Sequence, residues 1–189
     1  MQSPEALAAA LSLLEKPQLA RFARRSPLPA GMTTLLEAAA GDAEATMLAA
    51  AATGRSESII RKAAGFFIEQ VLLDPQSDSY RILGSTRNTP EAGLRRHMAL
   101  LMRWLHPDLV APGASGQRFD RSAYAGRVTE AWESLKTPDR RAAYDASLTA
   151  NAKPGSAGPT PLTIKRRRRQ RVRRREGFLN RLLFLLAGE

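Results

Sequence analysis

The sequence has 189 residues, which suits one or two small domains, and 43% of them are hydrophobic, which is enough to bury a core. It contains no cysteine, so disulfide bonds, thiolate-bound zinc and thiol nucleophiles are excluded. The net charge of +11 is concentrated in residues 161–189, where ten lysines and arginines accompany two acidic residues, so a polyanionic partner is expected there first.

The sequence gives no sign of export or of membrane insertion. The N-terminus lacks the basic residues that precede the apolar part of a signal peptide. Apolar runs are shorter than the roughly 18 to 20 residues that a membrane-spanning helix needs. We therefore expect a cytoplasmic protein, with the inner face of the membrane as a peripheral location that the basic C-terminal end would favour.

The first 78 residues predict a bundle of short helices and carry no recognisable chemistry. Ser3-Pro4-Glu5 has the pattern of a helix start. The segment SPLPAG at 26–31 interrupts the chain, and two helices are predicted over Met32–Ala40 and Asp42–Ala52. A longer helix is predicted from Ser56, and it is apolar almost all round, so we expect it to be buried. A scaffold, a docking surface and a dimerisation unit all remain open as roles for this region.

Two longer amphipathic helices are predicted further along the chain. Thr89-Pro90-Glu91 is expected to cap the first, and Pro107 stops it after Leu105. The second ends near Leu135, and Thr137-Pro138-Asp139 caps a last short helix. Because the two helices are joined by a loop, they are expected to be antiparallel and to bury their apolar stripes against each other. The stripes consist of Leu94, Met98, Leu101 and Leu105 in the first helix and Tyr124, Val128, Ala131, Trp132 and Leu135 in the second.

His106 and Asp108 flank Pro107 at the expected tip of this hairpin. The rigid proline fixes the directions of both side chains, so the tip suits docking to a partner. Catalysis would need a pocket and supporting polar groups, which the tip lacks. The alternative without a partner is that His106 and Asp108 only cap a local turn. A metal site that includes His97 is disfavoured, because His97 lies nine residues back on a helix.

Residues 79–146 resemble the J domain, which is the co-chaperone module of DnaJ-type proteins. The matching segments, in family order and spacing, are YRILG (80–84), TPE (89–91), LRR (94–96), HPD (106–108), RVTEAWESL (127–135) and TPDRRAAYD (137–145). The resemblance implies a helical hairpin that presents HPD to a DnaK-type ATPase chaperone and stimulates its ATP hydrolysis. The protein would then be no enzyme and would need no cofactor or metal. The implied docking residues are His106, Pro107, Asp108, Arg95, Arg96 and Arg103.

The helix before HPD departs from the family pattern in its charge. This helix is usually strongly basic in its middle, whereas Met98, Ala99 and Leu100 stand there in this sequence, and Trp104 occupies a position where a cation is common. The departures predict weaker electrostatic docking or a changed choice of partner. The absence of cysteine and of a Gly/Phe-rich segment places the resemblance with the minimal class of J-domain proteins. The alternative is a J-like adaptor or scaffold at a membrane surface or on RNA that does not activate an ATPase.

The C-terminal part of the chain is predicted to be a flexible linker over 147–164 followed by an Arg-rich amphipathic helix over 165–189. Three interpretations stand side by side: contact with an anionic membrane surface, contact with RNA through phosphate neutralisation, and a solvated or self-packed segment. The expected contact residues are Lys165, Arg166, Arg167, Arg168, Arg169, Arg171, Arg173, Arg174, Arg175, Phe178, Leu182 and Leu186. The whole chain is thus predicted to be all-α, with an N-terminal helical region (1–78), a J domain (79–146), a linker and a basic tail.

Overall fold

The computed structural model describes residues 5–106 and 121–152, which lie in one compact unit. All regular elements in those ranges are helical, which confirms the all-α prediction. The α-helices are α1 (Glu5–Glu15), α2 (Ala20–Arg25), α3 (Met32–Ala39), α4 (Ala43–Thr53), α5 (Glu57–Phe67), α6 (Ser79–Ile82), α7 (Glu91–Leu105), α8 (Arg121–Leu135) and α9 (Pro138–Ala152). A 3-10 turn over Pro17–Leu19 precedes α2, and a π-helical turn over Ile68–Leu72 follows α5.

Side-chain caps explain where several of these helices begin. The side chain of Asp42 accepts a hydrogen bond from the Ala45 amide at 2.9 Å, and Ser56 accepts one from Ile59 at 3.4 Å. Thr137 caps α9 by accepting from the Arg140 amide at 3.3 Å, as predicted. Each cap satisfies an amide that has no partner within the first turn of its helix.

The predicted cap at Thr89 is wrong. The residue at the cap position of α7 is Pro90, which is extended with φ −65° and ψ 159° and makes no side-chain cap. Thr89 is therefore one residue too early to reach the first turn. Its hydroxyl instead accepts from the Thr86 amide at 3.0 Å and closes the turn before the helix.

One apolar core runs through the helices on both sides of residue 78. The π-helical turn keeps the apolar side chains at the end of α5 facing inward, since the Leu73 amide reaches back to the Ile68 carbonyl at 2.9 Å. Fully buried members of the core before residue 78 are Leu13, Leu35, Leu36, Ile60, Phe67, Ile68, Leu72 and Leu73, and those after it are Leu83, Leu94, Leu101 and Leu135. The predicted division at 78/79 is thus a change of sequence pattern within a shared core.

Arginine side chains add polar contacts across the same division. Arg127 of α8 donates to the carbonyl oxygens of Leu73 and Asp74. Arg81 of α6 donates to the carbonyls of Ser26 and Ala23, at the end of α2. These charge-assisted bonds satisfy backbone oxygens at or just after helix ends, and the Asp74 carbonyl also accepts from the Ser77 amide at 2.9 Å.

The last helix is longer than the short helix predicted at this position. α9 continues to Ala152, so it occupies the first six residues of the predicted linker. The hydroxyl of Thr149 donates to the Ala146 carbonyl at 2.8 Å within the added turns. Residues 153–164 and the predicted tail lie outside the described residues.

Because the core is shared, the helices before and after residue 78 should unfold together. Leu36→Ala in α3 removes a side chain that is 1% exposed, and it should lower the free energy of unfolding by about 2–5 kcal/mol. Both tryptophans, Trp104 and Trp132, lie after residue 78, and Trp104 packs on α5, so tryptophan fluorescence reports on that part of the chain and on its contact with α5. Chemical denaturation should show one transition, with fluorescence and helicity midpoints shifted equally.

The control for this experiment is Phe22→Ala, because Phe22 is 66% exposed and its truncation leaves no cavity. This variant should keep the wild-type midpoint. Separate transitions for fluorescence and helicity, or an unchanged fluorescence midpoint in Leu36→Ala, would show that the two parts of the chain are independent.

Candidate functional site

The two long helices α7 and α8 form the hairpin that the sequence predicts. Their apolar stripes are buried against each other: Leu94, Met98, Leu101 and Leu105 from α7 and Val128, Ala131 and Leu135 from α8 are each at most 5% exposed. Tyr124 and Trp132 are half-buried at the rim of the contact. Because the two stripes are buried against each other, the end of α7 and the start of α8 are held in place on either side of residues 107–120.

His106 is the residue at which α7 ends. It is half-buried, and its amide donates to the Arg103 carbonyl at 3.0 Å. Its backbone leaves the helix with φ −64° and ψ 135°, the extended conformation that a following proline favours. Pro107 and Asp108 lie outside the described residues.

A clasp of four side chains holds α9 against α6. Arg141 donates to the Tyr80 hydroxyl at 3.0 Å, and that hydroxyl donates to the Asp145 carboxylate at 3.1 Å. The Ser79 amide donates to the Tyr144 hydroxyl at 2.8 Å, and the two tyrosine rings meet edge to face at 5.9 Å. Burial raises the pKa of Tyr80 above its ordinary value, so the hydroxyl stays a donor. The clasp gives a physical reason why the segments 80–84 and 137–145 occur together.

The three candidate arginines of α7 are all exposed, and they differ in their partners. Arg95 and Arg103 recur with Ala99 and His106 every three to four residues, and Arg96 lies seven residues before Arg103, so the three share one broad face of the helix. Arg95 pairs with Glu91 within the helix at 3.7 Å, an exposed contact of small energetic weight. Arg96 instead forms an ion pair with Glu37 of α3.

A second buried face of α7 packs against the helices that precede residue 78. Trp104 lies over α5 at Gly65, where an added methyl group would be 3.5 Å from the indole Nε1. Leu100 packs partly buried against the same core. Trp104 and Leu100 therefore serve packing at the positions where the sequence departs from the family's charge pattern.

His97 lies at the centre of this second face and is 6% exposed. Its Nδ1 lies 3.0 Å from both the Leu83 carbonyl oxygen and the Ser85 hydroxyl, and because the carbonyl can only accept, the proton is assigned to Nδ1. Its Nε2 then accepts from the hydroxyl of Thr33 in α3 at 2.8 Å. Burial lowers the pKa of His97 below its ordinary value, and the nearby Arg96 acts in the same direction. His97 is thus a neutral structural link between α3 and α7.

The Thr33–His97 and Glu37–Arg96 contacts were not foreseen from the sequence. The partners are 64 and 59 residues apart, and no local pattern connects them. One indirect signal was present in the sequence. Leu100 and Trp104 form a second apolar stripe on α7, and contact with α8 alone does not explain this stripe.

Neither a metal centre nor a membrane span is found in the described parts of the chain. Within 5–106 and 121–152, no group of three or more His, Asp or Glu side chains is close enough to bind a metal ion. No helix in these ranges is both long and apolar enough to cross a membrane. The candidate tail contacts, from Lys165 to Leu186, fall outside the described residues.

Two curated proteins match part of the chain. They are the chaperone proteins DnaJ of Lacticaseibacillus casei (strain BL23) and Lacticaseibacillus paracasei (strain ATCC 334), and each is 36% identical to it over 84 residues. The match covers 44% of this chain and 20% of each relative, so the chain spans about a fifth of the length of the curated relatives it matches. No family model matches the chain. No solved structure matches it either.

The lowered pKa of His97 makes stability depend on pH. In the unfolded chain His97 gains a proton near pH 6.5, whereas the folded protein keeps it neutral to lower pH. The unfolded state therefore binds more protons between the lowered folded-state pKa and about pH 6.5, and stability falls as pH drops through that window. We expect the free energy of unfolding to fall more between pH 7.5 and pH 5 for the wild type than for His97→Gln. Urea denaturation at both pH values measures this, and equal losses would contradict a buried neutral histidine.

Proposed function

We propose that this chain, which carries a J-domain segment of the DnaJ-like family, is a co-chaperone that docks on a DnaK-type ATPase and stimulates its ATP hydrolysis. The observation that carries the proposal is the α7–α8 hairpin. Its first helix is followed by His106 as the C-cap residue, directly before Pro107 and Asp108. The clasp between α6 and α9 supports it, because it engages the other segments that resemble the family.

In this proposal the chain performs no chemistry on ATP. It binds more tightly to the chaperone conformation in which hydrolysis is fast and so raises the population of that conformation. The size of the effect is limited by the difference in affinity for the two conformations. Neither a cofactor nor a metal ion is required.

The proposed docking face contains Arg95, Arg103 and His106, continued by Pro107 and Asp108. The two arginines are exposed on one side of α7, where they can meet acidic groups of the chaperone. Arg96 also belongs to the implied docking set. Its side chain is 63% exposed beside Arg103, and it also pairs with Glu37 of α3. We therefore assign Arg96 both to the docking face and to the contact with α3.

The second candidate function is a J-like adaptor that binds a chaperone or another partner without activating it. Its support is the uncharged middle of α7, where Ala99 and Leu100 occupy positions that are basic in the family. Fewer cations weaken electrostatic steering and long-range complementarity. Binding without faster hydrolysis distinguishes this candidate from the first.

The Arg-rich tail is proposed to hold the protein at an anionic membrane surface, with RNA as the competing partner. Nine of residues 165–175 are Lys or Arg, and each cation near an anionic surface contributes up to about 1 kcal/mol. The segment that follows repeats Phe178, Leu182 and Leu186 at helical spacing, which suits insertion between headgroups. Membrane contact is favoured because the basic run and the apolar repeat are adjacent.

His106→Gln should abolish most of the ATPase stimulation while leaving the fold intact. The side chain lies at the end of α7, and losing about 1.4 kcal/mol of docking free energy lowers affinity tenfold. Single-turnover ATP hydrolysis by the cognate DnaK-type chaperone measures the effect, with helicity and melting temperature as controls. Undiminished stimulation would rule out docking through the HPD segment.

Two arginines provide a matched comparison in the same assay. Arg103→Ala should weaken stimulation and leave the melting temperature nearly unchanged, since Arg103 is exposed. Arg96→Ala should also weaken stimulation and should in addition lower the melting temperature slightly, because it leaves Glu37 without this partner. Undiminished stimulation in both variants would contradict docking through this face.

Deleting residues 162–189 should leave ATPase stimulation nearly unchanged and abolish binding to anionic liposomes. Binding of the intact protein should weaken with salt, because exposed charges are screened over about 8 Å at physiological ionic strength. Part of the binding should survive salt and be sensitive to Leu182→Asp, since apolar burial is not screened. A steep salt dependence with RNA, insensitive to Leu182→Asp, would identify RNA instead. If the intact protein binds neither liposomes nor RNA, both proposed roles of the tail are refuted.

A further inference from the structure

Helix α4 exposes an apolar face on the surface of the described unit. Met47 is 56% exposed and Leu48 is 58% exposed. Ala51 and Ala52 continue the same face one turn further along and are also exposed. The charged residue of α4 that lies next to this apolar face is Glu44, at the N-terminal end of the helix.

The side chains of α4 are arranged in the opposite way from those of an ordinary surface helix. Its inner face, which packs towards α3 and α5, carries the small buried residues Ala45, Thr46 and Ala49. Its large apolar residues, Met47 and Leu48, point away from the core. Met47, Leu48, Ala51 and Ala52 form a contiguous exposed apolar patch, and such patches are candidates for interaction surfaces.

We propose that α4 is a self-association surface, which pairs antiparallel with α4 of a second copy of this chain. An antiparallel pair centred between Ala49 and Ala50 sets Leu48 against the partner's Ala51 and Met47 against the partner's Ala52. Each large side chain then lies opposite a small one, so two helices can approach within the usual 8–10 Å. The arrangement has two-fold symmetry, in which each contact occurs twice.

The charges at the ends of α4 favour the antiparallel direction. Glu44 lies in the first turn, and Arg55 follows Gly54 just beyond the helix end. Antiparallel pairing brings Glu44 of each copy near Arg55 of the other, whereas parallel pairing brings like charges together. Arg55 already pairs with Glu15 at 2.7 Å, and its side chain keeps 49% exposure, so it can meet a second carboxylate. The opposed helix dipoles add to the same preference.

The dimer is expected to be weak. α4 has 11 residues, which corresponds to about 16 Å of helix, so the contact lies at the small end of specific interfaces. A weak dimer would still place two α7–α8 hairpins in one particle. This assigns the dimerisation role to the N-terminal region and is independent of the proposed ATPase stimulation.

Sedimentation velocity of the full chain tests the proposal over a micromolar to sub-millimolar concentration series. The wild type should shift from monomer to dimer, and Leu48→Glu should lower the association constant by about tenfold or more. Phe22→Glu is the matched control, because Phe22 is 66% exposed on α2 and should leave association unchanged. Glu44→Lys should weaken association, and the double variant Glu44→Lys/Arg55→Glu should restore it. Helicity and melting temperature should match the wild type in Leu48→Glu.

The absence of native cysteine makes crosslinking a direct test of the geometry. A mixture of Leu48→Cys and Ala51→Cys chains should form the mixed disulfide faster than either chain forms its own, because these positions face each other only in the antiparallel pair. A monomer at all concentrations would overturn the proposal. So would association that Phe22→Glu disrupts and Leu48→Glu does not, a preference for like-with-like disulfides, or a monomer in which Leu48→Glu lowers liposome binding instead.

Discussion

The packing of α7 on two sides is the constraint on which the rest of the structure depends. One face of the helix meets α8 through Leu94, Leu101 and their neighbours, and another meets α3 and α5 through His97 and Trp104. A narrow third face, with Arg95, Arg96, Arg103 and His106, remains for a partner. Helices before and after residue 78 therefore form a common core, and the hairpin is held by more than its own two helices.

This packing accounts for the unusual charge of α7. A cation at position 104 would have to lie over α5, where an unpaired charge would be costly to bury. Tryptophan fills that space and contributes apolar contact instead. The uncharged Leu100 has the same explanation, since it packs against the core. Packing thus explains the uncharged residues at positions 100 and 104, whereas Ala99 lies on the third face.

Most elements that depend on local patterns were predicted from the sequence, apart from the cap at Thr89 and the length of α9, whereas contacts between distant residues were not. The stripes of α7 and α8 and the caps at Ser56 and Thr137 follow from spacing within a few residues. The Thr33–His97 link depends on chain segments 64 residues apart, which no periodicity reports. The outward face of α4 could not be predicted for another reason: apart from Glu44 and two threonines the helix is apolar on every side, so its pattern favours no side.

The central claim is that the narrow third face of α7 docks on a DnaK-type ATPase while the second face stays packed on α3 and α5. Nuclear magnetic resonance of the labelled protein with the ATP-bound chaperone tests it most directly. We expect the signals of Ala99, Arg103 and His106 to broaden or shift, and the indole N–H signal of Trp104 to keep its position. A displaced Trp104 signal with unchanged signals at Ala99 and Arg103 would contradict the account.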